Sequence, residues 1–274
     1  MTGLDEELVR RALGEADSAG LSDLEIFPEI ESTNSYLIQH SGPEPGRFRV
    51  AASDNQTAGR GRHGRTWQSP PGSGLCLSMA YTFALSPENL PALTLAIGLG
   101  VIDKLGELGI DGVQLKWPND LIAMDGKLGG ILTEAQARPS GAVTVVTGIG
   151  LNVDLPERLD FGLETDWARR IVDLRSYVGD VPSREALAAC LIRGLRQTFV
   201  TYETRGFGAF AERWADYDWL SGRELTIDTP QRQVTGIGAG VAADGALLVA
   251  TESAGLQRIT SGSVVMAGIR ESVS

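Results

Sequence analysis

The chain has 274 residues, with 24 Lys+Arg against 35 Asp+Glu and a formal net charge of −11. At 42% hydrophobic and 22% charged residues, the composition is that of a folded globular protein rather than a disordered one. The acidic balance argues against a protein whose main task is gripping nucleic-acid phosphates, because that affinity comes from clustered Lys and Arg.

Two cysteines, Cys76 and Cys190, and two histidines, His40 and His63, do not make a disulfide framework or a structural zinc site. Both thiols sit in apolar runs and read as buried free thiols of a reducing compartment. No metal cluster is visible, so no metal-ligating residue is assigned. The acidic start MTGLDEELVRR does not read as a signal peptide. No apolar run reaches the roughly 18 residues that span a bilayer. A cytoplasmic location without membrane contact is expected.

In chain order, residues 1–20 read as one amphipathic helix, and Leu24 to Ile30 as a strand. Ser32 or Thr33 can cap a second helix, which Pro43, Pro45 and Gly46 end. Phe48–Ser53 and Leu75–Phe83 are strand-like and flank a long Gly- and Arg-bearing stretch. Ser86-Pro87-Glu88 predicts the start of a helix running to about Leu108. Val113–Trp117, Leu121–Met124 and Lys127–Ala135 read as successive strands, with Asp125-Gly126 as a tight hairpin turn. Val143–Val153 is apolar enough for a central strand. A long helix opens at Pro182-Ser183 and a second covers about 206–216. From Leu220 onward, short strands separated by turns predict a small antiparallel barrel. Three parts follow: a helical arm over 1–23, a mixed α/β unit over 24–219, and a β module over 220–274.

Between Asp54 and Glu88 there is no acid, while Arg60, Arg62 and Arg65 fall inside that window. An acidic protein thus concentrates positive charge on one glycine-hinged loop, which points to a bound small anion. The same residues spell GxGxxG, but Trp67-Gln68-Ser69-Pro70-Pro71-Gly72 cannot open the helix a dinucleotide site needs. Glycines at 59, 61 and 64 leave this loop free to order over a ligand and exclude water. Lys116 ends an apolar strand and precedes a stiff Trp-Pro turn, so its ammonium is held in place. Lys127 follows a hairpin, beside Gly129 and Gly130, where a ligand could approach closely. In Gly148-Ile149-Gly150-Leu151-Asn152 the small alternate residues leave floor space for a ligand.

These motifs together resemble the biotin protein ligases, the holocarboxylase synthetase family. The matching elements are STN at 32–34, QTAGRGRHGRTW at 56–67, KWPND at 116–120, KLGGIL at 127–132 and GIGLNV at 148–153. They occur in one order from Ser32 onward, with a C-terminal SH3-like module behind them. The resemblance implies an α+β fold: a mixed, largely antiparallel sheet with flanking helices, like a class II aminoacyl-tRNA synthetase, plus a small barrel. It implies activation of biotin by ATP, with Mg²⁺, to biotinyl-5′-AMP, followed by transfer to a lysine of a biotin carboxyl carrier domain. It implies that Lys116 is the catalytic cation together with Arg62. Biotin would meet Ser32, Thr33, Asn34, Gln56, Arg60, Gly61, Arg62 and Lys116. The nucleotide would meet Arg62, Arg65, Trp67, Lys127, Asn152 and Trp167. The chemistry agrees with such a cation. A carboxylate about 4 Å from a phosphate is repelled by roughly 4 kcal/mol at an effective dielectric near 20, and a fixed ammonium offsets this.

Only 31 residues precede Ser32, so the DNA-reading domain of the bifunctional ligases is not expected, nor is DNA as a partner. A homodimer through sheet edges is an open expectation. Two other readings are a lipoate or octanoate ligase of the same fold, and a ligand-sensing transcriptional regulator. The first lacks its run of three glycines here, and the second lacks a basic helix.

Overall fold

In the computed structural model, which describes residues 3–68, 70–87, 89–156, 170–252 and 254–268, the chain opens with helix α1 (Glu6–Asp17). Asp5 caps it by accepting the Leu8 amide at 3.0 Å, and Glu6 and Glu7 sit at the positive end of its dipole. Val9 and Leu13 are its fully buried residues and face the long helix α5 (Arg184–Arg205). From α5, Arg193 donates to the Ala12 carbonyl.

Seven strands form the main sheet, in the order β1-β2-β3-β7-β6-β5-β4. They are β1 (Leu21–Phe27), β2 (Phe48–Ser53), β3 (Gly74–Phe83), β4 (Gln114–Lys116), β5 (Asp120–Ala123), β6 (Gly126–Ala137) and β7 (Val143–Asn152). β1 and β2 run parallel, joined through α2 (Thr33–Gln39), and the other pairings of this sheet are antiparallel. The expected mixed, largely antiparallel sheet is what the chain forms.

All ten residues of β3 are buried, with helices over one face and over part of the other. On one face Leu75, Leu77, Met79 and Tyr81 join the main core beneath α3 (Leu90–Glu107) and α5. On the other, Ala80 packs with Leu37, Ala51 and Val146 in a small cluster under α2. Side chains alternate along a strand, so that second face continues as Ser78 and Cys76, opposite Gly148 and Gly150 of β7. The apolar cover stops there and a polar floor begins. This switch places the functional site.

Beyond β7 come the short helix α4 (Leu174–Val178), capped by Asp173, then α5, capped by Ser183, and α6 (Gly208–Tyr217). A five-stranded antiparallel sheet follows: β8 (Glu224–Asp228), β9 (Gln233–Val241), β10 (Leu247–Thr251), β11 (Gly255–Ile259) and β12 (Ser263–Gly268). Its order is β11-β10-β9-β8-β12, with register shifts that bend β10 and β12.

Three local expectations are corrected. The first strand spans 21–27 rather than 24–30, because Pro28 ends it, and Ile30 only bridges to Gln56. Helix α3 begins at Leu90, not at Ser86-Pro87-Glu88. Asn89 precedes it with a φ of 56°, Pro91 stands in its first turn, and Tyr202 donates to the Asn89 carbonyl at 3.0 Å. The hairpin turn between β5 and β6 is centred on Met124 and Asp125, with φ of 50° and 56°, and Gly126 already pairs with Ala123. The Asp125 carboxylate accepts from Trp219 at 2.8 Å and from Arg223 at 3.0 Å, which fixes that turn against the end of the helical region. Among the described residues, no helix is long and apolar enough to cross a membrane.

Candidate active site

Above the polar floor lies a cavity of about 650 Å³, of the size that takes a small-molecule ligand. Part of its lining comes from the first turn of α2. Ser32 caps this helix by accepting the Ser35 amide, which leaves Thr33 and Asn34 on the buried side. Thr33 binds the Gln56 Oε1 through its amide at 2.8 Å and its hydroxyl at 3.1 Å. Its hydroxyl also pairs with Ser78 Oγ at 2.7 Å, and Ser78 donates to Asn34 Oδ1 at 2.6 Å. Four side chains from three elements are thereby locked in one hydrogen-bonded set.

The arginine loop is folded as a small hairpin. Gln56 bridges to Ile30, Arg60 to Thr66, and the Trp67 amide donates to the Gly59 carbonyl at 2.9 Å. A single 3-10 turn, Arg62–Gly64, makes its tip, where His63 and Gly64 have φ of 55° and 73°. At Gly59 a side chain would strike the Trp67 carbonyl. The expected open floor over Gly148 and Gly150 is instead occupied from within. A Cβ at Gly148 would meet the Asn34 amide, and one at Gly150 would lie 2.6 Å from Trp67 Cζ2. Absent side chains in β7 make room for the two residues that face the ligand space.

Lys116 is 4% exposed at the end of β4. Burial pushes its ammonium down to about 8, with Asp120 opposing and Lys127 and Arg65 acting in the same direction as burial. Burial alone would raise the Asp120 carboxyl, but Lys127, at 2.7 Å, and then Lys116 hold it below the usual carboxylate range. Burial likewise lowers the Arg62 guanidinium against the pull of Asp120. Arg62 Nη1 lies 3.5 Å from Asn119 Oδ1, and Asn119 is fixed on β6 through Ile131 by a 2.7 Å side-chain bond and a 2.9 Å backbone bond. Lys127 sits 5.7 Å over the Trp67 ring.

The C-terminal sheet closes the remaining wall. Gly262, Ser263, Val264 and Val265 line the cavity, with Arg65 donating to Ser263 at 3.0 Å. Trp117, next to Lys116, donates from its buried indole to the Gly245 carbonyl at 2.9 Å.

Two family models match the chain: the biotin/lipoate A/B protein ligase family over residues 26–154, and the biotin protein ligase C-terminal domain over 220–266. The biotin–[acetyl-CoA-carboxylase] ligase of Mycobacterium tuberculosis is 35% identical, over 84% of this chain and 80% of that protein. The chain belongs to the biotin/lipoate A/B protein ligase family. The bifunctional ligase/repressor BirA of Escherichia coli, another relative, is 34% identical over 88% of this chain and 72% of its own length. Among known structures, the biotin protein ligase of Aquifex aeolicus in complex with biotin and ATP superposes with a TM-score of 0.72. That match has 26% identity and covers 89% of this chain and 97% of the other.

Of the residues that the resemblance assigns to biotin, nucleotide or catalysis, all the described ones except Asn152 line the cavity. Asn152 is buried beneath it, and its amide donates to the carbonyls of Lys127 at 3.2 Å and Val172 at 3.0 Å. It therefore fixes the Lys127 backbone against the segment that follows β7. Trp167 lies outside the described residues. Sequence reasoning missed Ser78 and the Gly262–Val265 segment, and it took Asn119 and Asp120 as positions of the KWPND element without a role of their own. The alternation of Cys76 and Ser78 with Leu75 and Leu77 was the available signal for the floor.

Proposed function

We propose that this chain activates biotin with ATP and transfers it to a lysine of a biotin carboxyl carrier domain. The observation that carries this reading is the buried Lys116 ammonium in the wall of a cavity that the Ser32–Asn34 turn and the arginine loop also line. Thr33, Asn34 and Gln56 offer hydrogen-bonding groups suited to a ureido ring. Arg60, Gly61 and Arg62 lie toward the carboxylate end, and Arg65, Trp67 and Lys127 toward the nucleotide.

In the first step a biotin carboxylate oxygen bonds to the α-phosphorus of ATP and pyrophosphate departs. Lys116 offsets the repulsion between the two anions and the charge that builds at phosphorus. Its lowered proton affinity reflects burial, which Asp120 offsets in part, and an arriving anion adds negative charge that further favours the ammonium. In the second step the carrier amine attacks the acyl carbon, the bond to the AMP oxygen breaks, and the amine loses a proton. Water must be kept from the mixed anhydride between the steps, which is the task of the loop hairpin and the Gly262–Val265 wall. Mg²⁺ is expected to arrive on ATP. Asp120, already engaged by Lys127, is the one carboxylate among the described lining residues, so phosphate and water oxygens are expected to supply most of the Mg²⁺ ligands.

We further assign residues 24–219 as the catalytic unit, with the preceding arm docked on it, and 220–274 as the module that completes the wall. A cytoplasmic setting suits this chemistry, because ATP and carboxylase carriers are its substrates. ATP–pyrophosphate exchange with biotin, with lipoate and with neither tests the reading. Exchange that requires biotin is expected. Equal or greater exchange with lipoate would overturn it.

A further inference from the structure

Glu134 belongs to no motif singled out by the sequence, yet it receives hydrogen bonds from two separate parts of the site. Its Oε2 accepts from Asn34 Nδ2 at 3.0 Å and from Arg60 Nη1 at 3.1 Å, while its Oε1 accepts from Arg60 Nη2 at 2.7 Å. The two contacts to Arg60 make a bidentate fork, and the third ties the same carboxylate to the α2 turn. Glu134 stands on the cavity-facing side of β6, opposite Val146 and two residues beyond Leu132, at the rim.

A carboxylate at the rim of a site for anions opposes binding by its charge alone. Its placement is therefore informative: the charge is cancelled by the first arginine of the loop, and the shared oxygen fixes where that arginine goes. Through Asn34 the link continues to Ser78, Thr33 and Gln56, and Gln56 lies at the base of the same loop. The loop is held at its base by Gln56 and near its tip by Glu134, with the α2 turn joining the two.

We propose that Glu134 is a positioning residue that latches the arginine loop shut through Arg60, taking its own orientation from Asn34. This rests on the reading above for the identity of the ligand but not for the latch itself. The same carboxylate therefore ties the α2 turn to the loop, and loss of either partner frees the loop.

The test compares Glu134→Gln, Arg60→Gln and the double variant in the full chain. Trypsin cleavage after Arg62 and Arg65, measured without any ligand, reports loop opening directly. Release of biotinyl-adenylate from a preformed complex reports it with ligand. Each single variant is expected to speed both by about fivefold, the size of a partly exposed charge-assisted pair. The double variant is expected to go no further than either single one, and KM for biotin to change more than kcat. Pairing Glu134→Arg with Arg60→Glu is expected to restore slow cleavage. Unchanged cleavage in the single variants, or effects that multiply in the double, would overturn the latch. Altered cleavage in a protein that shows no biotin-dependent exchange would retain the latch and reject the functional reading. Melting curves of each variant identify any that fail to fold, and for those the charge-reversed pair decides.

Discussion

The ammonium nitrogen of Lys116 lies 3.4 Å from the carbonyl oxygen of Val264, across the junction between the main sheet and the C-terminal sheet. The next residue, Trp117, reaches the Gly245 carbonyl of the same C-terminal sheet. One strand end thus holds the proposed catalytic cation and grips the neighbouring module at two points. The module is a wall of the site and not an appendage.

Replacing Lys116 should separate function from stability. Lys116→Met is expected to abolish biotin-dependent pyrophosphate exchange. It should also raise the stability of the ligand-free protein, by about 1–3 kcal/mol in urea unfolding at pH 7, because a buried charge is removed. Retained exchange would exclude the proposed role.

The pH dependence follows from the direction of the Lys116 shift. Its folded-state value of about 8 lies below the ordinary 10.5, so the unfolded chain binds the proton more tightly. Folding stability contributed by this group therefore rises with pH from about 8 to 10.5. Activity runs the other way: kcat/KM for adenylate formation is expected to fall as pH passes above about 8. Asp120→Asn removes the carboxylate that supports the ammonium, and should move that alkaline limb to lower pH. A limb that stays in place would show that another group governs it.

Trp67 owes its position to a missing side chain. Gly150→Ala is expected to push the indole off the floor and weaken nucleotide binding about tenfold, or about 1.4 kcal/mol. Calorimetric titration with ATP, beside the tryptophan emission maximum, measures both effects. An unchanged affinity would mean that Trp67 contributes nothing to the nucleotide.

At Gly245 the φ is +81° and a Cβ would lie 2.6 Å from the backbone nitrogen of Ala92. Gly245→Ala is expected to cost about 2 kcal/mol or more of stability. Because the carbonyl of Gly245 also receives Trp117, KM for ATP should rise in the folded fraction. Stability loss without any kinetic change would confine this contact to scaffolding.

Arg62→Gly is expected to release biotinyl-adenylate faster, by removing the guanidinium that spans from the loop tip to Asn119. Stopped reactions that separate free from bound adenylate give the rate. Unchanged release would place the hold on the adenylate elsewhere.

The local devices were readable from the chain. The strand at Phe48–Ser53, the Ser32 cap and the arginine loop each follow from spacing and residue type within a dozen positions. What escaped were partners set by strand register. Asn34 and Glu134 are 100 residues apart, and they meet because β6 pairs with β7 in one particular alignment. No short window of sequence contains that alignment. The start of α3 was misplaced for a related reason. Ser86-Pro87-Glu88 carries a helix-start pattern, but the tertiary bond from Tyr202 to the Asn89 carbonyl fixes the turn three residues later. Likewise the wall at Gly262–Val265 depends on how the second sheet docks, which β-turn spacing does not encode.

The parallel pairing of β1 and β2 has a consequence for how this scaffold can change. Both strands deliver their carboxyl ends to the same side, one into the Ser32–Asn34 turn and the other into the arginine loop. Neither connection is a tight hairpin, so neither dictates the alignment of the strands it leaves. Both segments carry side chains of the site, and the Ile30 to Gln56 bridge continues the same parallel pairing between them. A change of ligand preference in this scaffold is therefore expected to need matched changes in both segments and in the β7 glycines on which Asn34 and Trp67 rest.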